Sequence, residues 1–254
     1  MLRIFREFIV DIPILHVVQE NQEMEKLPTV FFLHGFTSAK EHNLHYAYYL
    51  AEKGFRVILP EANLHGERAK DMSDASFLFS FWDIVIQSIK EVDVIKQEYV
   101  KREYIDETRI GMAGTSMGAI TTLGALTQHE WIKVAVSLMG APAYVTLAKA
   151  QIQMMKNKYA NYTEKLAIDE QIERLKSFDL SLQIDTLNKR PLLFWHGKQD
   201  PIVPFQNAYM FYEEAKSHYG SNIDSLQFIA DERGEHKVSR KGVLETVHWF
   251  EKFL

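Results

Sequence analysis

The feature that most constrains the fold of this 254-residue chain is a short, mostly apolar run that recurs six times, each time closed by a turn residue. TVFFL (29–33) ends in His34-Gly35, FRVIL (55–59) at Pro60, and RIGMA (109–113) at Gly114. VAVSLM (134–139) ends at Gly140, PLLFW (191–195) at His196-Gly197, and SLQFIA (225–230) near Asp231. Unbroken apolar runs bounded by turn residues read as strands buried on both faces. Helical patterns lie between them. Leu78, Trp82, Val85, Ile89 and Val92 form one stripe at three-to-four spacing; Phe205, Ala208, Tyr209, Tyr212 and Ala215 form another, with Pro204 in its first turn. Residues 2–10 and 12–18, broken at Asp11 and Pro13, read as two antiparallel strands at a sheet edge. The alternation predicts an α/β protein, a mostly parallel central sheet with helices on both faces. Ligands bind at the carboxyl ends of such strands, so functional residues are expected just after the apolar runs.

One interval breaks the rhythm. About fifty residues separate Met139 from Pro191, against roughly 2–6 for an ordinary connection. Leu147, Ile152, Met154, Met155, Tyr159, Tyr162, Leu166, Ile172 and Leu175 punctuate its charged background at helix-compatible spacing. The expected organisation is a core of residues 1–140 and 191–254, with 141–190 a small helical cap over the strand ends.

The sharpest local signal is Gly114-Thr115-Ser116-Met117-Gly118, between the strand RIGMA and the helix-compatible run 119–126. A G-x-S-x-G sequence in a strand–turn–helix setting holds its serine on a strained turn, and side chains at 114 or 118 would strike the neighbouring strand or helix. A serine hydroxyl becomes a nucleophile only when a base takes its proton and a carboxylate orients that base. Of ten histidines, His218, His236 and His248 follow a plausible acid. His218 ends the helix before the last strand, and His248 lies within the terminal helical run. His236, in the polar loop after SLQFIA, is the expected base. Asp200, in His196-Gly197-Lys198-Gln199-Asp200-Pro201, is the expected acid, held by the turn that its proline starts. The oxyanion of an acyl-transfer intermediate needs backbone N–H donors. Met117, at a helix start, and Phe36, in the loop after TVFFL, are the expected ones, with Gly35 letting the chain turn close and His34 fixing the loop.

In this order, HGF (34–36), GTSMG (114–118), HGKQD (196–200) and GEH (234–236) resemble the α/β-hydrolase superfamily. Within it the chain is similar to the compact bacterial serine esterases of the prolyl-oligopeptidase-like and dienelactone-hydrolase-like branch, including the YitV type. The resemblance implies Ser116 as nucleophile, Asp200 as orienting acid, His236 as base, and the Phe36 and Met117 amides as the oxyanion hole. It implies a carboxylic-ester hydrolase working through an acyl-enzyme on a small-molecule ester, with no cofactor and no metal. One loop departs from the pattern: Pro60-Glu61-Ala62-Asn63-Leu64-His65-Gly66-Glu67-Arg68. His65 or Arg68 could contact a carboxylate or phosphate of the substrate, while an ion pair of Arg68 with Glu61 or Glu67 is the plainer account. Aromatic residues of the cap and of 76–82 could line an acyl pocket. An amide or aminopeptidase-like hydrolase of the same mechanism, and a catalytically inactive binding protein on the same scaffold, are the alternatives.

Composition narrows the rest. With 29 Lys plus Arg against 34 Asp plus Glu, the net charge is −5, and no long basic run exists to bind nucleic acid. Zero cysteines exclude thiol nucleophiles and cysteine-ligated metals. His42 and His45 have no further ligand at a convincing spacing and read as surface helix residues. No stretch approaches the roughly 20 apolar residues of a membrane helix. Arg3, Arg6, Glu7 and Asp11 interrupt the first residues too often for a signal peptide, so a cytoplasmic location is expected.

Overall fold

A computed structural model describes residues 1–159 and 168–254, without the side chains of 156–158. Tyr162 and Leu166 of the expected cap stripe lie outside the described residues. Eight strands among the described residues form one sheet: β1 (Leu2–Ile9), β2 (Ile12–Gln19), β3 (Leu27–Leu33), β4 (Arg56–Pro60), β5 (Ile105–Thr115), β6 (Val134–Leu138), β7 (Leu192–Gly197) and β8 (Leu226–Asp231). Their spatial order is β1-β2-β4-β3-β5-β6-β7-β8. The hairpin β1–β2 and the β2–β4 pair are antiparallel, and every other pair is parallel.

Alternation along each strand explains the two-sided core. Phe31 and Leu33 of β3 point to one face, where they join Ile58, Met112 and Ala135; Val30 and Phe32 point to the other, with Val57, Leu59, Ala113 and Val136. On the first face lie α3 (Phe81–Lys101), α4 (Met117–Gln128) and α7 (Phe205–Tyr219); on the second lie α1 (Leu44–Glu52) and α8 (Arg240–Phe253). Both faces are covered, so the parallel strands carry continuous apolar runs, as expected of a sheet with no wet side. This is the α/β-hydrolase architecture, and it sets the carboxyl ends of β3 to β8 along one rim.

Two local expectations differ. The stripe from Leu78 to Val92 is not one helix: α2 (Asp74–Phe79) ends at Ser80 before α3 begins. The Ser80 hydroxyl donates to the Ser76 carbonyl, and Ser73 caps the start of α2 by accepting from the Ser76 amide. Pro204 caps α7 rather than sitting in its first turn. The long insertion carries α5 (Tyr144–Lys158) and α6 (Ile168–Lys176), then two short 3-10 turns over 180–182 and 184–187. It is anchored in the main core. Tyr144 is fully buried and donates to the Ile120 carbonyl at 2.5 Å, while Leu147, Ile152, Ile172 and Leu175 join the α3/α4 cluster. Asp179 accepts from the Val145 amide at 2.8 Å, tying the start of α5 to the segment after α6.

Candidate active site

The turn between β5 and α4 holds Ser116 at φ 52°, ψ −115°, a left-handed conformation that an L-residue keeps only under outside constraint. That constraint is steric. A Cβ on Gly114 would lie 2.3 Å from the Gly118 carbonyl carbon, and one on Gly118 would lie 2.2 Å from the Leu33 oxygen. Only glycines let strand, turn and helix approach this closely. The Ser116 amide donates to the Leu138 carbonyl at 2.8 Å, which locks the turn to β6.

From the rim loops after β7 and β8, two side chains reach the serine. The Ser116 hydroxyl lies 2.8 Å from His236 Nε2, and His236 Nδ1 lies 2.7 Å from Asp200 Oδ2. With Nδ1–H donated to the carboxylate, Nε2 is left as an acceptor for the hydroxyl proton. The Asp200 side chain is fully buried, and Oδ1 accepts from the Ile202 and Val203 amides at 2.8 and 2.9 Å. Burial alone would push the Asp200 carboxyl up. The His196 and His236 contacts, then the Val203 and Ile202 amides, outweigh it and hold the carboxyl well below the usual range. The His236 side chain keeps 22% exposure, enough to meet a substrate.

Sequence reasoning passed over two supports of this arrangement. His196 Nε2–H donates to the Val203 carbonyl at 2.9 Å and lies 3.3 Å from Asp200 Oδ2, so it braces the acid from the strand side. Gly197 abuts Gly234 so closely that a Cβ there would lie 2.3 Å from the Gly234 oxygen. Gln199 donates to that same oxygen at 3.0 Å and Lys198 to the Asp231 carbonyl at 2.9 Å. These contacts bring the acid loop and the histidine loop together. The one available signal was a glycine in each loop.

Met117 starts α4 and Phe36 lies in the loop after β3; among the described residues neither amide has a protein acceptor. A Cβ on Gly35 would sit 3.5 Å from the Ser116 Cβ, an ordinary contact, so the protein itself does not require glycine there. Strain falls instead on Thr37, at φ 63°. His65 answers it: its Nε2 accepts from the Thr37 amide at 3.1 Å while Nδ1–H donates to the Asn63 carbonyl at 2.9 Å. Burial pushes the His65 imidazole down and keeps Nε2 free to accept. His34 likewise fixes the loop, bonding the Gly35 carbonyl at 2.8 Å and accepting from the Ala62 amide at 3.0 Å.

The alternative role for the β4 loop as a substrate grip does not fit its geometry. Arg68 forks onto Glu91 at 2.7 and 2.8 Å and donates to the Glu61 carbonyl at 3.0 Å, so its guanidinium is already occupied. Glu61 and Glu67 do not pair with Arg68 either. They pair with Lys40, whose ammonium lies 2.8, 2.8 and 2.7 Å from Glu41, Glu61 and Glu67. Those three carboxylates are the one grouping of metal-ligand type among the described residues, and the lysine supplies their cation. Burial would raise the Glu61 carboxyl, but the Lys40 ammonium and amide, both donating to it, hold it well below its ordinary value. The partners of Arg68 and Glu61 lie 23 and 21 residues away, beyond the reach of a local reading.

Beside Ser116 opens a cavity of about 320 Å³. Phe36, Phe81, Trp82 and Ile120 line it from the core, Leu147 and Ile152 from α5, and Ile202 from the acid loop. Phe36 stacks on Phe77 with ring centroids 4.4 Å apart and meets Phe81 edge-on at 5.4 Å, so the loop carrying the Phe36 amide also forms a cavity wall.

A family model, the prolyl oligopeptidase family, matches residues 82–254, the stretch holding the serine, aspartate and histidine. The chain belongs to the prolyl oligopeptidase family. It is 49% identical over 255 residues to "Putative esterase YitV" of Bacillus subtilis (strain 168), covering 100% of both chains. It is 29% identical over 262 residues to "Esterase YjfP" of Escherichia coli (strain K12), again covering 100% of both. Among solved structures, TT1662 from Thermus thermophilus shares the fold at TM-score 0.80 and 20% identity, over 99% of this chain and 98% of that one. Among the described residues no helix is long and apolar enough to cross a membrane.

Proposed function

We propose that this chain is a serine hydrolase that cleaves carboxylic esters. The observation that carries the reading is the unbroken relay from the Ser116 hydroxyl to His236 at 2.8 Å and on to Asp200 at 2.7 Å. The relatives named as esterases over the full length support the choice of ester. In this reading Ser116 Oγ attacks the ester carbonyl carbon while His236 Nε2 takes its proton. The carbonyl oxygen becomes an oxyanion between the Phe36 and Met117 amides, with the α4 N-terminus adding its dipole. His236 returns the proton to the leaving alcohol, and the acyl group remains on Ser116. Water, deprotonated by His236, then attacks the acyl carbonyl and frees the acid. Asp200 keeps the imidazole in the working tautomer and stabilises its charged form. Residues 141–190 serve as a cap, supplying one wall of the cavity from α5 and α6.

Amide hydrolysis by the same residues is the second reading, favoured by the family to which the chain belongs. Against its aminopeptidase form, no charged side chain lines the cavity among the described residues, so a free amino terminus has nothing to pair with there. The deciding experiment compares p-nitrophenyl esters with aminoacyl-nitroanilides. Ester turnover is expected, with Ser116→Ala folded and slower by roughly 10⁴-fold or more. A Ser116→Ala protein as fast as the wild type removes the nucleophile, and faster nitroanilide turnover selects the amide reading. Absence of a fluorophosphonate adduct on Ser116 selects the inactive-scaffold reading instead.

A further inference from the structure

Among the described residues, the polar side chains that line the cavity besides Ser116 are two carboxamides, Gln151 on α5 and Gln171 on α6. Gln151 is not free to turn. The Trp82 indole N–H donates to Gln151 Oε1 at 2.9 Å, and an indole nitrogen can only donate. The Gln151 oxygen is therefore committed to Trp82, which is itself buried at 5% exposure. On the other arm of the same planar group, the NH₂ has no partner among the described residues. The cavity wall thus carries a carboxamide whose orientation Trp82 fixes and whose NH₂ is left to donate.

Resting on the esterase reading, we propose that Gln151 selects substrates whose cavity-filling group is uncharged and apolar apart from an acceptor oxygen several atoms from the ester. An all-carbon chain filling this space would strip the NH₂ of water and return nothing. An ether, carbonyl or hydroxyl oxygen at the right position would accept its hydrogen bond. A site that hydrogen-bonds a substrate oxygen discriminates against the analogue that lacks it more strongly than an apolar pocket discriminates by size. A charged group finds no counter-ion among the described lining residues. The oxygen could belong to the acyl chain or to the alcohol, since either can enter a cavity beside the serine.

The test is a position scan. One arm uses p-nitrophenyl octanoate and esters in which an ether oxygen replaces each chain CH₂ beyond the one next to the carbonyl; the other uses octyl acetate with the same replacements from the third alcohol carbon onward. In one arm, a single position is expected to raise kcat/KM about tenfold over its neighbours, and the arm that shows it identifies which part of the substrate fills the cavity. Gln151→Met should flatten that peak. Gln151→Glu, which replaces the donor with an acceptor, should invert it, and Trp82→Phe, which frees the amide to turn, should lower it. Ser116-dependent turnover with a flat scan in both arms, or a peak unchanged in Gln151→Met and Gln151→Glu, overturns the assignment alone. No Ser116-dependent turnover of any ester overturns the proposed function and this assignment with it.

Discussion

At the scale of single residues, the candidate site combines strain with a fixed tautomer. Ser116 sits at φ 52°, where a side chain costs on the order of 1–3 kcal/mol that the surrounding close approaches impose. Glycine adopts that conformation freely, so Ser116→Gly is expected to raise the melting temperature by a few degrees while abolishing ester turnover. Ser116→Ala should give no such gain, since alanine keeps the Cβ; equal melting temperatures for the two variants would remove the strain argument. Asp200 gives a second expectation. Its Oδ1 accepts from two amides, so in Asp200→Asn the amide oxygen must take that place and turn the NH₂ toward His236. The imidazole then presents Nδ1 as acceptor and Nε2–H to Ser116, the wrong tautomer for a base. Turnover should fall about 10⁴-fold in a protein that remains folded, and kinetics alongside circular dichroism check both.

At the scale of elements, each loop that carries a candidate group is pinned by a neighbouring loop. The β3 loop rests on the β4 loop through His34, His65 and the Lys40–Glu61 pair. Both partners of that pair have fully buried side chains, so removing one strands the other charge in the interior. Lys40→Met is expected to cost about 3–5 kcal/mol, read as a lower denaturation midpoint in urea. A loss below 1 kcal/mol would mean that the ammonium is dispensable. The exchange of partners here was not legible in sequence. Glu61, Glu67 and Arg68 lie within eight residues and invite a local pairing, yet Arg68 turns to Glu91 on α3, leaving Glu61 to Lys40 and Glu67 to Lys40 and Arg6. Local charge spacing sets what can pair; which helix packs behind the loop decides what does. The same limit applies to α2 and α3, whose apolar spacing reads as one stripe although Ser80 hydrogen bonds end the first helix.

At the scale of the whole molecule, several buried groups push stability the same way with pH. Burial lowers the imidazoles of His16 and His65 below their ordinary 6.5, so the unfolded chain takes up protons first as pH falls. The Glu61 carboxyl is held at about 2 against 4.5, and Asp200 is also held low. Their stabilisation is present above the unfolded values and is lost as pH drops through the folded ones. Lys40 is raised, which offsets nothing in acid because its contribution fades only at alkaline pH. The melting temperature is therefore expected to decline gently below about pH 6.5 and steeply below about pH 4.5. Glu61→Gln should be less stable at pH 7 and show a shallower acid slope. Parallel slopes for wild type and variant would show that Glu61 does not carry its share.

The sequence alone determined the sheet, because strands buried on both faces must be apolar throughout and the helices between them must be amphipathic. It also determined the elbow, since a strand, a serine and a helix can meet that closely only between glycines. The pairing of Asp200 with His236 was foreseeable in outline from which loops follow which strands. Tertiary structure alone decided how that pairing is held: the backbone contact of Gly197 with Gly234, the brace from His196, and the hold of His65 on the strained Thr37. The first and last join residues 37 and 28 positions apart, and the brace joins the acid to a histidine of the same run that sequence gave no role. Hydrophobic period acts through neighbours along the chain and is written there; contacts between loops depend on how whole elements pack.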